Sequence, residues 1–344
     1  MKKIFFVAAL AALAAVGCTK SENSPAPEPE MLAAPVLTVE NNLTSATFSW
    51  SAVENAAAYE YTFNGVPGTT TNTAIGFDAL ELNAEYVFTL RALAADDSVV
   101  FLNSEAVSET IFTGLEYEGE IYRITLMKDG NIWLAENLRY IPDGKTVSGD
   151  PADDAGVWYP VANASPAAGD PSLVGVKGLL YDAATAFGVS DITESEAASF
   201  GGCRGICPEG WHIPTEREQT GLVGHNSDNS LNIPDAPYYD SSVGGARIDM
   251  LNADGFNWTF AGIRNKTNST ATGTYLATTA TDENGSTVYG AMSYVLSSTF
   301  YKANSATNLQ FYGLMSTYNA SNKKVTVAYA NYKSGYSVRC VKNR

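Results

Sequence analysis

The chain has 344 residues, room for two domains or three small ones, with 45% hydrophobic and 17% charged residues, a balance that excludes a largely disordered chain. Its 21 basic against 37 acidic residues give a net charge of -16, which repels nucleic acid and anionic headgroups, so no nucleic-acid partner is expected. With two histidines and four cysteines in all, multi-histidine zinc sites and iron–sulfur clusters lack ligands, and neither a metal nor another cofactor is expected.

Lys2 and Lys3 precede 13 consecutive apolar residues, Ile4 to Val16, too few for a membrane span of about 20 but suited to a secretory signal peptide over residues 1–17. The ending Ala15-Val16-Gly17-Cys18 resembles a bacterial lipoprotein lipobox, with Ala15 where Leu is commoner. That resemblance implies cleavage before Cys18, lipidation of Cys18, and a bacterial envelope protein anchored by its acyl chains, surface-exposed on the outer membrane. Residues 18–34, with Pro25, Pro27 and Pro29 among Ser, Glu and Ala, read as an extended tether.

From 35 to 114 the pattern has period two: Ala46, Phe48 and Trp50; Tyr59, Tyr61 and Phe63; Tyr86, Phe88, Leu90 and Ala92. Turn signals such as Asn64-Gly65 separate these runs, as in a β-sandwich. Trp50, Ala57-Ala58-Tyr59, and Leu80 six residues before Tyr86 resemble a fibronectin type III domain, the last pair its tyrosine corner, although Leu82 and Ala84 stand where Pro and Thr are frequent. The resemblance implies a spacer.

Residues 118–344 read as short polar strands among Gly-, Asn- and Asp-rich loops, a loop-rich α+β head. Two helices are expected, over Leu180–Phe187 and Thr215–Leu222, the second opened by a Thr215/Glu218 capping box. The strings Asp129-Gly130-Asn131-Ile132-Trp133-Leu134-Ala135-Glu136-Asn137-Leu138, Cys207-Pro208-Glu209-Gly210-Trp211-His212-Ile213-Pro214-Thr215 and Ser337-Val338-Arg339-Cys340-Val341 resemble the Fibrobacter succinogenes major paralogous domain. Gln219 and Ala183 occupy places where that family often has Trp. The resemblance implies a fold related to C-type lectin-like domains and no transferable reaction.

Because both lie in these strings, Cys207 and Cys340 are expected to bridge in an oxidising compartment, with a Cys203–Cys207 bridge as the rival. His212 reads as a structural imidazole bonded to backbone near the bridge rather than a catalytic or ligating group. No catalytic residue is assigned: the Gly-x-Ser-x-Gly, His-Glu-x-x-His and phosphate-loop strings are missing, as are calcium-dependent sugar-binding strings such as Glu-Pro-Asn. Nine of the 19 tyrosines fall between Tyr275 and Tyr336, mixed with Thr, Ser and Asn, which suits sugar rings or a protein surface. Trp258, Tyr275, Tyr289 and Tyr301 are the candidate ligand contacts, while Val325, Val327 and Tyr329 read as a core-facing strand set. The expectation is a lipid-anchored binding protein whose head engages a glycan or a surface protein. An inert envelope component and a carbohydrate-active enzyme are the alternatives.

Overall fold

The computed structural model describes residues 28–344 except 162–167, 229, 269, 277–279, 282–286, 289–291, 306–307 and 320–321. The expected signal peptide, Cys18, most of the expected tether and Tyr289 therefore lie outside the described residues.

Two sheets form the sandwich. Leu37–Asn41, Ala46–Trp50 and Ala74–Phe77 pair in that order; Val66–Thr70, Ala58–Phe63, Glu85–Leu93 and Val107–Phe112 form the other. Period-two alternation sends Phe48, Trp50, Phe88 and Leu90 inward, and Phe48 stacks on Phe88 with centroids 4.1 Å apart. Asn64 and Gly65 both adopt positive φ, 49° and 81°, the conformation a tight two-residue hairpin requires. The corner reading has a direct counterpart: the Glu81 amide donates to the Tyr86 hydroxyl at 3.1 Å.

The tether expectation extends too far at its C-terminal end. Glu30–Met31 pairs in parallel with Phe101–Leu102, and Leu32 is buried in the sandwich core, because an apolar side chain beside an open sheet edge has both a ladder and a core to join. Gly114 accepts from the Asn83 amide and donates to the Leu43 carbonyl, so it closes the sandwich. Leu115 already sits in the core of the head, and Leu115–Tyr117 pairs with Glu120–Tyr122. A Cβ at Gly114 would come within 2.6 Å of Ile121 Cγ2, so the two units abut where the chain passes between them.

In the head, a four-stranded sheet orders Ile124–Leu126, Ile132–Leu134, Val341–Lys342 and Trp211–His212. Trp133 pairs with Val341, and His212 with the same Val341, so the two ends of the head lie side by side with the central string next to them. A second, antiparallel sheet runs Tyr239–Asp240, Gly245–Arg247, Asn322–Asn331, Asn308–Asn319 and Met292–Ser305. These last strands, of 10, 12 and 14 residues, are longer than the expected short polar ones. Buried serines hide the alternation: Ser293, Ser297, Ser298 and Ser316 are at most 1% exposed, and Ser298 Oγ donates to the Ile213 carbonyl at 2.9 Å.

The helix expected from Leu180 begins at Ala183, since Leu180–Tyr181 pairs with Val157–Trp158 and Asp182 caps Ala183–Phe187 through the Thr185 amide. The helix Glu216–Val223 follows Thr215 with both arms of the capping box in place. Its Leu222 and Val223 pack on Val295, Leu314, Val325 and Val327 of the second sheet. Gln219, where a Trp is frequent, is fully buried and donates to the Val295 carbonyl at 3.0 Å.

Candidate functional site

The strings that carry the family resemblance build the frame. Cys207 and Cys340 are joined, with Cα atoms 5.8 Å apart, whereas Cys203 is free and half-buried, its thiol pushed up to about 11 by burial. Arg339 is buried: it donates to Asn137 Oδ1 at 2.7 Å, to the Asn257 carbonyl at 2.8 Å and to the Phe256 carbonyl, and its guanidinium lies 4.5 Å from the Phe256 ring centroid. Asn137 in turn donates to the Lys177 carbonyl and Ser337 Oγ. One cation thus satisfies three acceptors on two loops.

His212 also belongs to this frame, but through side chains instead of the backbone. Nε2 lies 3.0 Å from both Glu218 carboxylate oxygens and Nδ1 lies 2.7 Å from Asn343 Oδ1. Glu218 is the far arm of the capping box, accepting from the Thr215 amide, so the imidazole ties the Trp211–His212 strand to the helix start. The hydrogen bond to Glu218 raises the imidazole above its ordinary value, against the opposing effect of burial.

Two of the candidate ligand contacts lie inside. Trp258 is 5% exposed, packed beside Phe256 in the core under the helix Glu216–Val223. Tyr275 is 7% exposed, grouped with Trp158 and Leu180, and burial raises its phenol far above the ordinary range. Neither has a free ring face for a ligand, which corrects that expectation; an aromatic among polar neighbours in sequence can still be the apolar filling between two loops.

Tyr301 is the exception, and it does not stand alone. The Tyr301 and Tyr329 rings stack at 4.1 Å, and Tyr312 meets Tyr301 edge-on at 5.0 Å. Tyr312 and Tyr329 are direct cross-strand partners, and Tyr312, 6% exposed, supports the other two rings from beneath. They continue the sheet face whose Val325 and Val327 are covered by the helix, and beyond that cover Tyr329 is 39% exposed. Alternation placed it on the right face, but only the limit of the helix decides that it meets solvent.

Polar groups border this tyrosine terrace. Tyr312 donates to Asp228 Oδ2 at 3.1 Å; Ser230 Oγ accepts from Asn226 Nδ2 at 2.8 Å, and Asn226 also donates to Glu216 Oε1. Lys302 Nζ lies 4.9 Å from the Tyr301 centroid and 5.7 Å from that of Tyr329, a cation–π pair on the same rings. Desolvation opposes the charge on Asp228, but the Ser230 amide and hydroxyl and the Tyr312 hydroxyl together hold its carboxyl below the ordinary range. The opposite holds at Glu216, which burial raises, and burial also pushes Tyr312 up to about 12. A stacked aromatic surface edged by an ionised carboxylate, a hydroxyl, an amide and an ammonium can hold a flat apolar face while bonding hydroxyls at its rim. Sequence reading missed Tyr312, Tyr329, Asp228 and Ser230; the signal available was the hairpin register, which sets Tyr312 opposite Tyr329.

Comparison with known proteins matches residues 129–342 to the family described as Fibrobacter succinogenes major domain. No curated protein matches the chain. Among solved structures, the chain is similar to the fn3 domain of human collagen alpha-1(XX) chain, with 17% identity over 29% of this chain and 99% of that one and a TM-score of 0.23. It is also similar to a computationally redesigned β-sandwich protein (24% identity, 26% and 98% coverage, TM-score 0.23) and to the central fibronectin-III array of RIM-binding protein (16%, 29% and 40%, TM-score 0.20). With its three strings paired, bridged and buried in one frame, and the match covering more than half its length, the chain belongs to the Fibrobacter succinogenes major domain family.

Proposed function

We propose that the protein is a lipid-anchored, surface-displayed binding protein, in which the sandwich spaces a lectin-like head from the membrane and the head engages a glycan or another surface protein without catalysis. The terrace of Tyr301 and Tyr329, stacked on each other and backed by Tyr312, which is itself only 6% exposed, carries this reading, because rings held by stacking and cross-strand pairing are positioned before any ligand arrives. The lectin-like assignment is supported by the paired first and last strands of the head, Trp133 beside Val341, with a long loop-rich excursion between them. The non-catalytic reading is supported by His212 and Glu218, the most reactive-looking pair of the central string, being engaged with each other and with the helix cap. Gly17-Cys18 supports the anchor, and no helix among the described residues is long and apolar enough to cross a membrane.

A glycan array and a surface-extract pull-down with the purified chain test the reading. Binding that survives chelator and drops at least about tenfold in Tyr329→Ala, with folding intact, is the expected result. Equal binding by wild type and Tyr329→Ala would remove the terrace from the function, and release of sugar from a polysaccharide would replace binding by hydrolysis. For the anchor, Cys18→Ala should move the protein out of the detergent phase; unchanged partitioning refutes lipidation.

A further inference from the structure

At the end of the sandwich where the chain enters, four apolar side chains face solvent: Met31, Val99, Val100 and Leu102 are 48% to 83% exposed. They are neighbours. Glu30–Met31 runs parallel to Phe101–Leu102, with Met31 beside Leu102 and the Glu30 amide donating to the Val100 carbonyl at 2.7 Å. Side chains alternate along an extended chain, so Leu32 and Phe101 turn into the core while Met31, Val100 and Leu102 share the outer side. Val99 extends that stripe to the loop tip. Three backbone donors of the loop are paired within it: the Ser98 amide donates to the Ala95 carbonyl at 2.9 Å, and Ser98 Oγ accepts from the Val100 and Phe101 amides at 3.3 and 2.9 Å. Donors already paired lower the cost of carrying the loop into a medium poorer in water.

Position and charge select what covers this stripe. Along Glu85–Leu93, Glu85 faces Phe112, which leads into Gly114 and the head, while Leu93 leads into the loop of Val99. The stripe and the head therefore sit at opposite ends of a nine-residue strand, about 30 Å apart. Met31 follows Cys18 by 13 residues, so an acyl anchor on Cys18 keeps the stripe within about 45 Å of the membrane. A tether of that length holds the two at an effective concentration near the millimolar range, enough to populate even a weak contact. No lysine or arginine occurs between residues 28 and 36 or between 94 and 105, whereas Glu28, Glu30, Asp96 and Asp97 do. These carboxylates repel an anionic bilayer, but the ammonium headgroups of a zwitterionic one suit them.

We propose that Met31, Val99, Val100 and Leu102 form a membrane-contact edge that dips into the interface of a zwitterionic bilayer, so that the sandwich stands on the membrane and carries the head roughly 30 Å above it. Asp96 and Asp97, in the same turn, stay among the headgroups and limit the contact to the boundary with the acyl chains. The inference rests on the anchor at Cys18 and is independent of the tyrosine terrace. It makes the sandwich a foot that orients the head, and not only a spacer.

Tryptophan quenching tests this with the processed, acylated chain reconstituted on phosphatidylcholine vesicles whose acyl chains are brominated. The five native tryptophans are at most 6% exposed and give a shielded background. Val99→Trp is expected to lose at least about half of its added emission to the bromines. Val66→Trp, on the exposed hairpin whose Asn64 amide bonds the Val87 carbonyl nearer the head, should lose none beyond background. Phosphatidylglycerol in place of phosphatidylcholine should at least halve the Val99→Trp effect, and adding Val100→Asp and Leu102→Asp should abolish it, with vesicle flotation and the thermal transition unchanged. Floating protein without Val99→Trp quenching, equal quenching in Val66→Trp, equal quenching on the anionic lipid, or quenching that survives the two aspartate substitutions would each overturn the contact. Emission of Val99→Trp that shifts to the blue with protein concentration, without vesicles, would assign the stripe to a second copy and overturn it as well. Protein that does not float refutes the anchor, and the proposal with it.

Discussion

His212→Gln probes how the frame is held together. Both imidazole nitrogens face oxygens, Glu218 at 3.0 Å and Asn343 at 2.7 Å, so only the protonated ring, with two N–H donors, satisfies both at once. The side chains of His212 and Glu218 are 15% and 24% exposed. At that burial the gross attraction, on the order of 4 kcal/mol at an effective dielectric near 20, is largely offset by desolvation, leaving about 1–2 kcal/mol for the charged hydrogen bond. The sign follows from the two groups. His212 is raised above 6.5, so its contribution is complete below pH 6.5 and fades as pH climbs through its folded value. Glu218 is lowered from 4.5, since the His212 and Thr215 hydrogen bonds outweigh the desolvation that would raise it; its contribution is complete above pH 4.5 and is lost on further acidification. The pair is therefore worth most between pH 4.5 and 6.5. Thermal unfolding of wild type and His212→Gln at pH 6 and pH 8.5 should show a gap at pH 6, at about 2–4 °C per kcal/mol for a domain of this size, that narrows at pH 8.5. His225→Gln is the control, because burial lowers His225, and its gap should not widen toward acid. A His212→Gln gap of equal size at both pH values would refute the charged-pair argument and leave only packing.

Trp258→Ala should cost about 3–5 kcal/mol in chemical denaturation, as for a core tryptophan, since 95% of its surface is withdrawn from solvent; a loss of ligand with unchanged stability would return Trp258 to the binding surface. Cys207→Ser or Cys340→Ser should cost about 2–5 kcal/mol by opening a 133-residue separation, while Cys203→Ser should stay within about 1 kcal/mol; non-reducing peptide mapping checks the pairing directly. Arg339→Met should lower the head's unfolding midpoint by several degrees, because at least two buried carbonyls lose their donor at about 1–3 kcal/mol each, partly offset by the relief of burying a cation.

Local chemistry explains which features could be read from the chain and which could not. Alternation at Phe48, Trp50 and Phe88, the Asn64-Gly65 turn, and the Thr215/Glu218 capping box are short-range: side chains two to four residues apart decide them, so sequence alone determined the sandwich and the helix Glu216–Val223. Leu180–Tyr181 could not be told from a helix start, because the choice was made by Val157–Trp158 across the fold. The long strands escaped notice because serines sit where apolar residues would signal a face, and their burial depends on carbonyls supplied by other elements, as Ile213 does for Ser298. The ligand surface was the least legible part. Trp258, Tyr275 and Tyr329 have similar neighbours in the chain, yet the first two are buried and the third is 39% exposed. What separates them is tertiary packing: the cluster under the helix Glu216–Val223 takes in Trp258, Trp158 and Leu180 enclose Tyr275, and the cover ends short of Tyr329, none of which a local pattern encodes.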